Sequence, residues 1–519
     1  MSMVAHQQRI ASAFTVFFGG YGDVSRYAEE RGVCRQWVYR EADWVESLLQ
    51  GDWQEEIAEL RAQVQQLEQD KALLQQRLSL AVVLDDEKQS EFACVGEAIG
   101  ASLPMCRELL EVLIPGKSLS VATLGRRTKA AGEKAGQLLT VFDEWTRPLV
   151  RDADGDEIYV SAPVLMVVEP QSLCWVSGRL SAEVSGAAWQ QEFKQLPNLE
   201  QVTRDGGKGL AKGIALVNEQ RAINKQKPVV DQGDHFHALW HGGIGLRKAE
   251  ARARKALQAA EEAQAKLDEC SRQGQRTQAA GIHAGIAWRK AEQAMDAWVR
   301  VEQLWRRSKE ALRLFTPDGE LNSRAHAEQV LAETLPQLPD DFAKAKQQLH
   351  KPEMLNYLDR VHEQLQALPF PEEIKRAAVR QEELRRHPDL KAEAAQAATV
   401  RGLLLVYAVI LAKAEQTGAA AVAAVQKVLR TAHRASSLVE CINSVLRMQQ
   451  TRHRKMTQGL IDLKRLWWNC HTFRTGHRRG KTPYQRLGVP WPPGLRWWEL
   501  LKLTPEQLRE KLSTAKLAA

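Results

Sequence analysis

At 519 residues the chain is too long for one ordinary hydrophobic core, and roughly three to five folding units are expected of it. Its balance of 44% hydrophobic and 26% charged residues is that of a soluble globular protein; the net charge of +8 is mild for the length, so where the basic residues fall says more than their number. No apolar run approaches the ~20 residues of a membrane helix, the longest being Gly402 to Ala412 ahead of Lys413 and Glu415, and Met1 to Phe14 lacks the layout of a signal peptide, so a cytoplasmic protein with no membrane partner is expected.

Residues 1–50 read as helices. Asp23 is placed to cap a helix through Glu30, Gly32 breaks it, and a second helix runs from about Arg35 to Leu49. Ala28, Gly32, Val33 and Val38 fall where a helix-turn-helix needs a small residue, a turn and core contacts. That reading puts Arg35, Gln36, Tyr39 and Arg40 on the early turns of a DNA-reading helix, although a plain helical hairpin fits the same residues. Over residues 52–84, Ile57, Leu60, Val64, Leu67, Lys71, Leu74 and Leu78 follow the 3-4 alternation of a coiled coil, with Lys71 as its one polar seam residue. A homodimer or higher oligomer is expected, against the alternative of a helix packed on its own domain. Residues 86–148 are helical again. Ser120 caps a helix whose Arg126, Arg127, Lys129 and Lys134 suit a second DNA-binding hairpin, or an ordinary helical packing unit.

The texture changes at Asp152. Asp152-Ala-Asp-Gly reads as a turn, followed by β-rich runs at Glu157–Val160, Pro163–Val168 and Leu173–Val176. A helix across Ala187–Gln195, a strand at Glu200–Arg204, a helix over Leu210–Asn224 and a strand at Pro228–Val230 complete residues 150–245. Residues 246–428 read as an all-α insertion in which Trp288, Trp298 and Trp305 are core residues. Residues 429–475 return to the sheet with one further helix, and 476–519 form a tail. The fold class expected is multidomain α+β. Seven scattered cysteines with no Cys-x-x-Cys pair read as reduced structural thiols and argue against a zinc site. From Cys441 to Arg486 eleven Lys and Arg face the single acid Asp462, a footprint that suits a polyanion or a solvated charged face equally.

Three segments carry the candidate chemistry. Gly155-Asp156-Glu157-Ile158-Tyr159 places an acid at the entry of a strand, with Asp152, Asp154 and Glu157 as competitors for the same role. Thr203-Arg204-Asp205-Gly206-Gly207-Lys208 ends a strand on an acid before a glycine-rich turn; that acid could equally make an Asx-turn. Gly207-x-Gly209 lacks the remainder of a dinucleotide or P-loop pattern. Arg434-Ala-Ser-Ser-Leu-Val-Glu440-Cys-Ile-Asn443 puts an acid on a helix with Asn443 and Arg447 on its face.

In their order and strand placement these segments, together with Asp234-His235-Phe236-His237, resemble the DDE transposases of bacterial insertion sequences. The resemblance covers about residues 150–475. It implies an RNase H-like α/β catalytic core interrupted by the all-α insertion and preceded by helical DNA-binding and coiled-coil regions. It implies that Asp156, Asp205 and Glu440 bind two Mg²⁺ ions, which Mn²⁺ can replace, with Asp156 shared between them. His237 is then a candidate contact to the scissile phosphate, Asp234 and His235 are supporting residues, and Lys208, Arg434, Asn443, Arg447, Arg452, Arg454 and Lys455 are candidate DNA contacts. The function implied is cleavage of double-stranded DNA at transposon ends and strand transfer into target DNA, by a bacterial nucleoid-associated protein. A structure-specific nuclease on the same fold, or an inactive DNA-binding regulator, are the rival readings.

Overall fold

The computed structural model describes residues 3–80, 83–391, 394–450, 455–476, 478–492 and 494–518. The chain divides into two compact units, Met1–Asp85 and Asp86–Ala519.

The first unit consists of α1 (Met3–Phe18), α2 (Asp23–Arg31) and α3 (Arg35–Leu80). Gly32 sits in the left-handed region at φ 63° and donates its N–H to the carbonyls of Ala28 and Glu29, so the chain turns into α3 within three residues, as expected. Ala13, Ala28, Val38 and Ala42 close a small core between the helices. The break expected near residue 50 does not occur. Helix α3 passes through Gly51 and continues unbroken for 46 residues; one helical glycine costs only about 1 kcal/mol, which good helix formers on either side outweigh. Its seam residues Ile57, Leu60, Val64, Leu67, Leu74 and Leu78 are all exposed within this unit.

The second unit opens with α4 (Asp86–Ile99), α5 (Leu103–Leu113) and α6 (Val121–Thr146). Ser120 caps α6 by accepting from Thr123 N, as the sequence predicts. A five-stranded sheet follows, built from β1 (Asp152–Tyr159), β2 (Pro163–Glu169), β3 (Cys174–Leu180), β4 (Gln201–Arg204) and β5 (Val230–Gly233) in the order β3-β2-β1-β4-β5. The first three strands form an antiparallel meander, and β4 and β5 run parallel to β1. Helix α7 (Gly186–Lys194) lies between β3 and β4 in the chain, and α8 (Lys208–Ile223) between β4 and β5. Asp152–Gly155 is not the expected turn but the first half of β1. It pairs residue by residue with Gln201–Arg204, a partner too distant in sequence for local turn signals to reveal.

Helix α9 (His235–Arg272) starts directly after β5, so the expected border at residues 245 and 246 lies inside one continuous helix. It packs on α10 (Gln278–Ala311) through small buried residues that include Ala253, Ala260, Ala284 and Ala291. The helical block continues through α11 (Arg324–Thr334), α12 (Ala343–Leu349), α13 (Asn356–Gln366), α14 (Glu372–Arg386), α15 (Ala394–Lys413) and α16 (Glu415–Thr431). It has its own core around Trp305, Phe342 and Tyr357. Of the three tryptophans expected in that core only Trp305 is buried; Trp288 is exposed and Trp298 half-buried. Helix α15 is the one helix among the described residues long and apolar enough to cross a membrane. Its Gln396–Lys413 stretch has a mean hydropathy of 1.4, since Ala, Thr and Val lengthen the short run expected at Gly402–Ala412.

The chain returns to the sheet as α17 (Ser437–Gln450) and α18 (Gln458–Cys470), and ends in α19 (Pro483–Leu487), α20 (Trp497–Leu500) and α21 (Pro505–Ala518). Alternation along β1 puts Asp154, Asp156 and Ile158 on one face and Ala153, Gly155 and Glu157 on the other. The first face packs with Val439, Ile442 and Leu446 of α17, and the second with α6, α7 and α8. Two residues of the expected basic footprint turn inward. Lys464 and Arg465 on α18 are buried, and Arg465 is paired with Asp143 of α6 while its Nε donates to Trp175 O at 2.8 Å.

Candidate metal centre

Asp156 stands on the face of β1 that α17 covers, and Asp205 follows the last residue of β4. Asp205 makes the Asx-turn that stood as the alternative to a ligand role, accepting from Gly207 N through Oδ1 at 2.9 Å. Glu157 belongs to the other face of β1 but its carboxylate reaches the same place, held by a 3.1 Å hydrogen bond from Trp189 Nε1 of α7. One oxygen from each of Asp156, Glu157 and Asp205 lies within 4.8 Å of the others. The glycine turn makes this crowding feasible. A Cβ at Gly207 would stand 3.0 Å from Asp205 Oδ1 and 3.4 Å from Glu157 Oε2.

Helix α17 supplies the third stretch. Asn443 is buried and donates through Nδ2 to Asp156 Oδ2 at 2.6 Å, while Glu157 N donates to Asp156 Oδ1 at 2.8 Å. Glu440, one turn earlier, is close enough for its charge to act on Asp156, yet it stands outside the 4.8 Å set and accepts from Arg447 at 3.0 Å. Burial, then the charges of Asp205 and Glu440, push the Asp156 carboxyl up to about 7. Burial likewise raises Glu157; the Trp189 hydrogen bond opposes this and Asp205 adds to it.

The competing acids on β1 have other work. Asp152 is paired with the guanidinium of Arg360 from α13, and Asp154 accepts from His433 Nε2 at 2.5 Å. Both are buried, and each ties the sheet to a chain segment arriving from the insertion. Beside the acid cluster, Asp234 caps α9 by accepting from Phe236 N and His237 N, and also accepts from Ser436 N at 3.0 Å. Its Oδ2 also meets His237 Nδ1 at 2.5 Å. Burial opposes the ionisation of Asp234, but these hydrogen bonds hold its carboxyl below the usual value; the same bond holds the His237 imidazole above its own, against partial burial. His235 is fully enclosed. Burial drives it down to about 4, and its Nε2 donates to Met354 O at 2.7 Å, which makes it a structural residue.

No protein-family model matches the chain, and no curated protein sequence does. The arrangement itself is therefore what bears on function. Its donors are all carboxylate oxygens, a set that suits a hard divalent cation such as Mg²⁺ or Mn²⁺ and lacks the thiolates and imidazoles of a zinc site.

The sequence-predicted DNA contacts fall into three groups. Arg35, Gln36, Tyr39 and Arg40 are exposed on the first turns of α3, and Arg126, Lys208 and Lys455 are exposed in the second unit. Arg127 instead binds Asp86 and Ser90, Arg447 binds Glu440, and Arg434 is turned onto Leu312 O with its guanidinium 5.5 Å from the ring centre of Tyr357. Asn443, also expected at DNA, is buried against Asp156, because its place one turn after Glu440 faces β1. Arg452 and Arg454 lie outside the described residues. Two features went unmarked in the sequence. Glu157 counted only as a rival for the position of Asp156, and nothing flagged the insertion residues Gln348, Lys351 and Met354, which close the cleft beside Asp205 and His237.

Proposed function

We propose that this chain is a DNA transposase of the DDE type, cutting at transposon ends and joining them to target DNA. The observation that carries the reading is the meeting of Asp156 and Asp205 at one point, with Asn443 and Glu440 of α17 beside them. An RNase H-like core is the fold this reading requires. The three-strand meander, the helix after it and the parallel strand that ends just before Asp205 support it. The helical block between β5 and α17 supports an insertion at the place the resemblance implies.

A pair of Mg²⁺ ions, when bound, would activate the attacking oxygen and neutralise the leaving one. Asp156 and Asp205 are the residues to hold them, with Glu157 supplying a further carboxylate and Glu440 approaching from α17. Asn443 fixes the rotamer of Asp156. His237, with Nδ1 committed to Asp234, keeps Nε2 for a phosphate oxygen, and the Asp234 hydrogen bond raises its affinity for a proton. In the first unit, the exposed Arg35, Gln36, Tyr39 and Arg40 follow a tight turn, an arrangement suited to reading a major groove. The exposed apolar seam of α3 suits a coiled coil with a second copy, which would bring two DNA ends together.

The test uses the whole protein, Mg²⁺ and labelled duplex carrying the DNA that flanks its own coding sequence. Cleavage with joining to a second duplex is expected, lost in Asp205→Asn and Glu440→Gln. Cleavage without joining would point to a nuclease, and end binding without cleavage to a regulator. Leu67→Lys with Leu74→Lys should leave α3 helical and abolish self-association in sedimentation; an unchanged oligomer would locate the contact elsewhere.

A further inference from the structure

The insertion does more than hang from the sheet. Its segment between α12 and α13 is clamped onto the carboxyl ends of β4 and β5. Gln232 Nε2 and His235 Nε2 both donate to Met354 O, at 3.1 and 2.7 Å, and Gln232 Oε1 accepts from Tyr357 N at 2.7 Å. Asn356 Nδ2 donates to Asp231 O at 2.6 Å, and Glu353 pairs with Arg204 at 3.2 Å. Gly233 is what lets this segment lie so close, since a Cβ there would collide with Met354 Sδ. The segment so held forms one wall of a cleft whose opposite side is Asp205, Gly206 and His237.

From that wall Lys351 extends over the glycine turn. Its Nζ stands 3.8 Å from where a Gly206 Cβ would be; among the described residues it makes no hydrogen bond or ion pair within 4 Å, although its charge reaches Asp231, which Arg204 already pairs. The cations around it are committed: Arg204 to Asp231 and Glu353, Arg447 to Glu440, His237 to Asp234. In the same cleft Gln348 presents a buried Oε1 with no donor. An ammonium with no ion pair of its own, placed by this wall a few ångströms past an acid cluster, is suited to an anion that the acids themselves could not attract. In a site that works on DNA, that anion is a backbone phosphate.

We propose that Lys351 is a substrate-contacting residue, its ammonium binding a phosphodiester of a DNA strand that passes across the mouth of the cleft, so that the insertion completes the active site. This rests on the transposase reading above. The test compares the whole protein with Lys351→Gln and Lys351→Arg, measuring single-turnover cleavage at saturating DNA with Mg²⁺ and the salt dependence of DNA affinity with Ca²⁺ in its place. Lys351→Gln should slow cleavage roughly ten- to a hundredfold, as expected for one charge-assisted hydrogen bond. It should lower the slope of log affinity against log salt by about one, and Lys351→Arg should restore most of both. A wild-type rate or an unchanged slope in Lys351→Gln overturns the assignment. Asp205→Asn is run alongside. If it cleaves at the unaltered rate the transposase reading falls, and the salt slope still decides whether Lys351 meets DNA.

Discussion

Among the buried and half-buried carboxylates of the second unit, two groups of three stand in contrast. Asp143, Asp152 and Asp154 each face a base: Arg465, Arg360 and His433. Asp156, Glu157 and Asp205 face mainly one another. Asp154 and Asp156 are two residues apart on the same face of the same strand, so the difference lies in what the rest of the chain brings to them. Where a base arrives, the acid fastens an element to the sheet. Where none arrives, like charges accumulate in a half-buried space, an arrangement that costs stability and that a divalent cation would relieve.

The comparison breaks most visibly through activity. Asp205→Asn should lower DNA cleavage by roughly 10³- to 10⁴-fold, on the scale of losing a residue that acts as part of a catalytic unit. Unfolding measured alongside should show no loss of stability, because the substitution removes repulsion. A comparable loss of stability would move Asp205 into the structural population. The converse holds for Arg465→Met. It leaves Asp143 buried with much of its charge uncompensated, since Arg147 pairs with only one of its oxygens at 2.7 Å. A loss of about 3–5 kcal/mol in denaturant unfolding is expected, and a loss under about 1 kcal/mol would show that water reaches the pair.

Glu97 tests the ground between the two populations. It is buried on α4 and faces the buried Lys464, yet burial still carries its carboxyl from 4.5 up to about 7. A folded-state value above the unfolded one means that its stabilising contribution is complete below pH 4.5 and is lost as pH rises through about 7. Glu97→Gln should therefore flatten the decline in stability between those limits, by on the order of 2 kcal/mol. Parallel pH profiles for the two proteins would show that Lys464 already neutralises the acid.

Much of this was legible in the sequence, for physical reasons that also mark where legibility ends. Local chemistry announced itself: Gly32 after a helix, Ser120 before one and Asp205 ahead of two glycines all occupy the positions their backbone preferences demand. Pairings across long separations did not. Asp152–Gly155 has the composition of a turn and becomes strand because β4 lies beside it. The basic stretch around Lys464 and Arg465 reads as surface until Asp143 and Glu97 arrive from helices far earlier in the chain. Asn443 reads as a DNA contact until α17 is seated on β1. Lys351 carries no local signal at all, since its meaning comes from the clamp at Met354 and from the missing side chain of Gly233.

The smallest expected effect bears most directly on the unpaired acids. If they repel one another because a cation is their partner, Mg²⁺ at about fivefold its dissociation constant should stabilise the protein by about 1 kcal/mol, beyond the effect of NaCl at matched ionic strength. Asp156→Asn should start out more stable than the wild type without Mg²⁺, because a carboxyl that burial and the charges of Asp205 and Glu440 push up to about 7 is gone. It should respond less to the ion, because the oxygen that Asn443 orients is lost as a charged ligand. The base-matched acids supply the control: Asp152→Asn should lose its tie to Arg360 and be less stable than wild type at every Mg²⁺ concentration, while keeping the full Mg²⁺ increment. Equal increments in wild type and Asp156→Asn would mean that the ion acts elsewhere on the protein, and the cluster around Asp156 would then have to be stable for a reason other than metal.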